Sequence, residues 1–537
     1  MFETQQAYAH LRKTMASLLT LAIILGPSVT PALAADKVQK PPAATATPIQ
    51  HLVVIFQENI SFDHYFGTYP NATNPSGEPS FTAAKGTPSV NGLTGGLLTA
   101  NPNLNPTNLG ASNPFRLDRS QAVTPDQDHD YTAEQQAFDA GLLDLFPTYT
   151  GSGGTDGSLV MGYFDGNSVT ALWNYAQGFA MSDNSYSTTF GPSTPGVINL
   201  VSGQTNGVVA IANGTGDEIA GGPDNSLTVI GDPDPVGDVC SNPTRNQVTM
   251  GSLNIGDLLN SAGVSWGSFM GGFNLNIVNP NGTTGCKRSS AGLAGTTGDY
   301  IPHHSFFNYW ASTANYQHTR PASISEIGHG GPANHQYDVQ DFYTAAEAGN
   351  LPAVSFLKAP AYQDGHAGYS DPIDEQSFLV NTINLLESLP TWKSTAVVIL
   401  YDDSDGWYDH QMGSIVNTSN GPADALNGPG LCGNAATSLP GLNNAANPHA
   451  LGRCGYGMRQ PFLVVSPWAR QNFVDHSLTD QTSVIHFIED NWLSGQRLPS
   501  GSFDAIAGSI NQMFDFSKVR AGNKGKLFLD PNTGEPQ

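Results

Sequence analysis

Two carboxylates stand side by side at Asp402-Asp403, just after an aliphatic run, Val397-Val398-Ile399-Leu400. Adjacent carboxylates repel each other, so leaving them together is costly unless a cation or hydrogen-bond donors neutralise them. The chemistry they offer is oxygen ligation of a metal ion; the competing reading is a solvated acidic turn, because Asp and Gly are common in turns. An EF-hand loop fits poorly, since placing Gly406 at the obligatory glycine puts Tyr401 at the first ligand position. A second pair of oxygen donors, Glu58-Asn59, follows the apolar run His51 to Phe56, and here helix capping competes. Third comes Gly191-Pro192-Ser193-Thr194-Pro195-Gly196. Pro195 suits the first turn of a helix, and Ser193 or Thr194 suits its N-cap. The free N–H groups and positive dipole of a helix start favour an anion. A hydroxyl there is placed to attack or hold a phosphate, and it equally fits an ordinary cap. The histidine candidates are His129, the pair His303-His304 ahead of aromatic residues, and His366 in Asp364-Gly365-His366. For His129 a plain loop position is the alternative.

Short runs that are apolar on both faces must hold these groups in place. Such runs at 51–56, 353–357, 397–400 and 461–466 read as buried strands of a parallel sheet. In open α/β sheets ligands sit just past the carboxyl ends of the strands, which is where the polar candidates fall. Helical patterns are predicted from 131 through 146, over 169–181, 252–261, 338–347, 378–389 and 480–493, with a further strand at 265–270. Over 378–389, Leu379, Ile383 and Leu386 share one face. This alternation predicts an α/β/α sandwich around a central, mostly parallel sheet. Residues 71–124 read as an irregular excursion, and about 205–298 and 411–458 as Gly/Asn-rich loop insertions.

Composition narrows the function classes. The chain of 537 residues has 21 Lys+Arg against 45 Asp+Glu, a formal charge of −24. That argues against nucleic acid and against electrostatic docking on anionic membranes. Residues 1–34 have the charged, apolar and small-x-small parts of a secretory signal, cleaved before Ala35. Residues 35–48 read as a linker and 49–537 as a single catalytic domain, periplasmic or secreted, with no stable membrane anchor after cleavage; an uncleaved anchor is the competing reading, since signal and anchor differ mainly in apolar length. Four cysteines in an exported chain imply disulfides. The pairs Cys240–Cys286 and Cys432–Cys454 are favoured, because each closes one Gly/Asn-rich loop. No CxxC spacing suggests structural zinc; Ser193 lies in Gly191-Pro192-Ser193-Thr194-Pro195 and not in a G-x-S-x-G elbow, which weighs against a serine esterase; and there is no Walker or haem motif, nor a G-x-G-x-x-G between a predicted strand and a helix.

The ordered set FQENISFDHYFG, HDY, GPSTPG, PHHSFF, DGH and YDDSDGWYDH resembles the bacterial phosphoesterase family of phospholipases C and acid phosphatases, within the alkaline-phosphatase superfamily. The resemblance runs from about His51 to Trp492. It implies an alkaline-phosphatase-like α/β/α fold and one active-site metal ion held by Glu58, Asn59, Ser193, Asp402 and Asp403. It implies Ser193 as nucleophile, where many phospholipase relatives have Thr, and a phosphoserine intermediate. His129, His304 and His366 would hold phosphate oxygens or shuttle protons. Phe306 and Ala367 depart from the family's prolines. An all-oxygen ligand set favours Ca²⁺, Mg²⁺ or Mn²⁺, although zinc carboxylate sites exist. The implied substrates are small phosphate esters or phospholipid head groups. The chain stops soon after its last predicted helix, without the extra C-terminal domains of longer phospholipases, which weighs against a dedicated lipid-surface enzyme. A non-catalytic secreted binding protein is the reading of another class; it leaves the Asp, Glu and His at strand ends unexplained.

Overall fold

The computed structural model describes residues 44–537, except 153–155, 222–225, 434–438, 441–449 and 521. The signal segment 1–34, the first part of the linker and parts of the second loop insertion lie outside the described residues. Thr47, in the last part of the linker, donates its N–H to Asn491 Oδ1 (2.8 Å).

The apolar runs form the centre of an eight-stranded sheet. Its strands in chain order are β1 (His51–Gln57), β2 (Ala180–Ser182), β3 (Trp266–Met270), β4 (Gln336–Asp338), β5 (Val354–Lys358), β6 (Thr395–Tyr401), β7 (Phe462–Val465) and β8 (Phe473–Asp475). They lie in the order β4-β3-β5-β1-β6-β7-β2-β8. The five strands from β4 to β6 are mutually parallel. β5, β6 and β7 are buried along their whole length, which is why they read as unbroken aliphatic runs. β7 runs antiparallel to both β6 and β2. No helix is found among the described residues between β6 and β7; a parallel neighbour would need a crossover connection there, whereas an antiparallel one does not.

The helices are α1 (Phe62–Phe66), α2 (Tyr131–Phe138), α3 (Thr170–Gly178), α4 (Ser193–Ser202), α5 (Ile255–Ala262), α6 (Val339–Glu347), α7 (Pro372–Ser388) and α8 (Ser483–Trp492), together with single turns at Gly96–Thr99 and Phe146–Tyr149. Two of the predicted spans are corrected. The pattern from 131 to 146 breaks after Phe138, where Asp139, Ala140 and Leu143 take positive φ, a region costly for residues with a Cβ. The segment 169–181 is helical only to Gly178 and then enters β2. The amphipathic stretch at 378–389 is the second half of a longer helix, whose start is capped by Asp371 with Pro372 in its first turn.

The first insertion is more regular than its composition suggests. Five short strands from Asn206–Ala212 to Gln247–Met250 form a second sheet, and Ser289–Gly292 pairs with Gly295–Gly298. Most of these strands are only two to four residues long, and Asn206–Ala212 and the 289–298 pair are largely solvent-facing, so they lack the apolar signal of a core strand. Both favoured disulfides are present, Cys240–Cys286 and Cys432–Cys454.

Register delivers the candidate residues to one place. Gln57 pairs with Tyr401, and Ile55 with Leu357. The residues that follow β1 and β6 therefore emerge side by side, with Lys358 at the end of β5 beside them.

Candidate active site

Helix α4 meets the strand ends through a glycine. A Cβ on Gly196 would lie 2.3 Å from the carbonyl oxygen of Asp402, so only glycine lets the helix start approach the end of β6 this closely. Gly406 does similar work at φ +69°, where a Cβ would lie 2.3 Å from Asp128 O; it seats the acidic turn against the loop that carries His129. Pro192 is the N-cap residue and Ser193 the first residue of the helix, with no side-chain cap. The expectation of a Ser193 or Thr194 cap is thus corrected. The Thr194 N–H donates to Asp232 Oδ1 (2.8 Å), so this N–H is already engaged.

The Ser193 hydroxyl lies 3.1 Å from Glu58 Oε2 and 3.2 Å from Asp403 Oδ2, buried with both. One hydroxyl carries one proton and can donate to only one of these oxygens. Asp402 accepts the N–H groups of Asn59 (2.9 Å) and Asp403 (2.8 Å) at Oδ1 and faces Lys358 Nζ (3.3 Å) at Oδ2. Asn59, at φ 63°, donates its side-chain amide to Asp405 Oδ1 (3.1 Å). Asn59 Oδ1 and Asp405 Oδ2 are buried without a hydrogen-bond partner among the described residues.

Burial, and then the neighbouring Asp402, push the Glu58 and Asp403 carboxyls well above the ordinary range. Burial acts on Asp402 in the same sense, but Lys358 and the hydrogen bonds it accepts hold it below that range. Packed carboxylates that resist ionisation, an orphaned amide oxygen and a hydroxyl wedged between two acids form a donor set that fits a hard cation. The Ser193 hydroxyl thus brings Glu58 and Asp403 together, and Asp402 adjoins them through the N–H groups of Asn59 and Asp403.

The three histidines surround this group. His304 Nδ1 lies 3.1 Å from Glu58 Oε1. His303 turns away, with Nδ1 3.5 Å from Asp234 Oδ1. His129 Nδ1 bonds to the Gln127 carbonyl (2.9 Å) and lies 3.5 Å from Asp405 Oδ1. His366 Nδ1 bonds to the Ala367 carbonyl. A carbonyl can only accept, so Nδ1 carries a proton in His129 and His366, and Nε2 is the nitrogen that faces away from that bond. The rings of His129 and His304 lie 6.1 and 6.5 Å from that of His366. Burial pushes His366 down to about 4 and, aided by His303 and Lys358, drives His304 well below its usual value. Burial acts on His129 in the same sense but is outweighed by Asp403, Asp405 and Asp126, so its imidazolium is favoured.

Several residues of this cluster escaped the reading of the sequence. Lys358 is buried against Glu58 Oε1 and Asp402. Its signal was a single lysine closing an otherwise apolar strand. Asp364 accepts the His366 N–H (3.0 Å) and has Oδ2 4.0 Å from His304 Nδ1. Glu134 accepts the Gly191 N–H (2.9 Å) and the Ser404 hydroxyl (2.7 Å), and burial raises its carboxyl to about 7. Glu134 sits on a helix face with no local mark of a site.

Fold and site together define an α/β protein whose acid–histidine centre lies at the carboxyl edge of a mostly parallel sheet. The chain belongs to the Phosphoesterase family, whose model matches residues 49–493. It is 24% identical over 489 residues to the non-hemolytic phospholipase C of Burkholderia pseudomallei, covering 88% of this chain and 60% of that protein. Phospholipase C A of Mycobacterium tuberculosis is 24% identical over 88% of this chain and 78% of its own length. The chain thus spans about 60% of the length of the Burkholderia relative. Among solved structures, murine ectonucleotide pyrophosphatase / phosphodiesterase 5 aligns over 64% of this chain and 95% of its own, at 15% identity and a TM-score of 0.28.

Proposed function

We propose that the chain is an exported, metal-dependent phosphoester hydrolase of the acid phosphatase or phospholipase C type, acting through Ser193. The observation that carries this reading is the Ser193 hydroxyl, held at the first residue of α4 between the carboxylates of Glu58 and Asp403. A neutral serine is a weak nucleophile and needs activation. Glu58, Asn59, Asp402 and Asp403, with Ser193 itself, would hold one divalent ion, which supplies charge neutralisation and lowers the pKa of the hydroxyl. Ser193 Oγ attacks phosphorus and gives up its proton, the P–O bond to the alcohol breaks and the alcohol leaves with a proton, and a phosphoserine forms; water then cleaves it, releasing phosphate from a monoester or the head-group phosphomonoester from a phospholipid, and restores the serine. Phosphoryl transfer needs charge stabilisation on the equatorial oxygens more than covalent help. His129, as an imidazolium, supplies positive charge. His304 and His366, both neutral, relay protons, His366 through Nε2 because its Nδ1 is engaged by the Ala367 carbonyl.

Relatives named phospholipase C support a phosphodiester head group as substrate, and serine at the nucleophile position supports a phosphomonoester. Export rests on the signal-like residues 1–34. No helix among the described residues is long and apolar enough to cross a membrane. The deciding experiment is hydrolysis of a chromogenic phosphomonoester and a chromogenic phosphocholine diester by the mature chain, before and after chelation. Turnover lost on chelation and restored by a divalent ion is expected, and the ratio of the two rates assigns the substrate class. Chelator-resistant turnover, or none with any metal, rejects the reading.

A further inference from the structure

We propose that the ammonium of Lys358 fills a second cation position beside the metal site, and that removing its charge opens that position to a second divalent ion. The inference rests on the metal-dependent reading above. Lys358 is the last residue of β5 and is 1% exposed. Its Nζ lies against Glu58 Oε1, 3.3 Å from Asp402 Oδ2 and 5.1 Å from the centre of the Phe56 ring. The two oxygens of Glu58 are therefore divided. Oε2 faces the Ser193 hydroxyl, and Oε1 faces Lys358 and His304.

The Oε1 side has the composition of a metal site in its own right. One ligand atom each from Glu58, His304 and Asp364 lie within 4.8 Å of one another, and all three residues are buried. Two carboxylates and an imidazole suit zinc or manganese. A carboxylate shared between two cations a few ångströms apart is the usual bridge of two-metal hydrolytic sites. Here the second partner of that bridge is an ammonium that belongs to the chain. Removing one member of a buried ion pair leaves its partner uncompensated. Without Lys358, Glu58 Oε1 and Asp402 Oδ2 lose the cation on their side of the site, and a second divalent ion, held by Glu58, His304 and Asp364, is the nearest substitute.

The test is the number of metal ions per chain. Wild type, Lys358→Ala and Lys358→Gln are dialysed to equilibrium against Mn²⁺ alone, and bound manganese is measured by elemental mass spectrometry on samples whose circular dichroism matches wild type. Lys358→Gln preserves side-chain length without the charge and serves if the alanine variant does not fold. One ion on the wild type and two on the folded variants is the expected result. One ion on all of them overturns this inference and leaves the proposed function standing. Two ions on the wild type overturn it as well. No ion on the wild type rejects both readings together.

Discussion

The backbone of Gly196 in α4 rests on that of Asp402 at the end of β6, so closely that a Cβ on Gly196 would lie 2.3 Å from the Asp402 carbonyl oxygen. This contact sets the distance between the serine-bearing helix and the carboxylates. Gly196→Ala is predicted to separate them, because the obstructing atom is backbone and cannot swing aside. The expected cost is roughly 1–3 kcal/mol of stability, as for other overpacked sites. Displacement of the nucleophile should also lower kcat/KM by about 100-fold. Chemical denaturation and steady-state kinetics check both; an alanine variant with wild-type kinetics removes the contact from the positioning of Ser193.

Ser193→Ala is predicted to lower kcat/KM by roughly three orders of magnitude or more, as loss of a covalent nucleophile does, with an unchanged circular dichroism spectrum. Acid quenching of the wild type during turnover should trap phosphate on the peptide containing Ser193, readable by mass spectrometry. Phosphate trapped on Thr194 instead, or full turnover by the alanine variant, would displace Ser193 from its role.

Much of this centre was legible because the chemistry follows strand ends. The runs before Glu58 and Asp402 are apolar on both faces, so their sheet positions and the polar groups just past them could be read together. What stayed hidden depended on contacts distant in sequence. Lys358 looks like a surface lysine until the parallel register of β5, β1 and β6 places it beside Glu58 and Asp402. Glu134 becomes informative only when the Gly191 N–H reaches it from 57 residues away. The capping rule misplaced the start of α4 because the Ser193 hydroxyl turns to Glu58 and Asp403 rather than to a backbone N–H.

Buried acids that are not in the ligand set predict how stability follows pH. Glu375 accepts the hydroxyls of Tyr401 (2.7 Å) and Tyr65 (3.0 Å), and burial raises its carboxyl from 4.5 to about 8. Between those values the folded state holds a proton that the unfolded state releases, so stability falls as pH rises. Glu134 and Glu387, each raised to about 7 by burial, act in the same sense. The slope is at most ~1.4 kcal/mol per pH unit for each such group. Buried neutral histidines, His64 at about 3 and His335 and His366 at about 4, act in the opposite sense below about 6.5, so melting temperature is expected to drop from pH 6.5 to pH 8, and Glu375→Gln to make the drop shallower. A melting temperature that rises over this range would show that these acids are ionised in the fold.

The two disulfides should behave differently when cut. Cys454 donates its N–H to the Tyr131 hydroxyl (3.1 Å), and its carbonyl accepts the Phe190 N–H (3.0 Å), three residues before Ser193. The Cys432–Cys454 bridge thus anchors the strut on which the nucleophile loop is built. Cys240–Cys286 closes a loop at the surface, where Cys286 is exposed. Each bridge limits the unfolded chain and is worth roughly 2–4 kcal/mol. Cys432→Ser is predicted to lower both melting temperature and turnover, and Cys240→Ser to lower melting temperature with turnover retained. The comparison is made on the two purified variants at one temperature, well below both melting transitions. Equal losses of turnover would mean that both loops reach the site, and no loss in Cys432→Ser would mean that the Phe190 contact holds without the bridge.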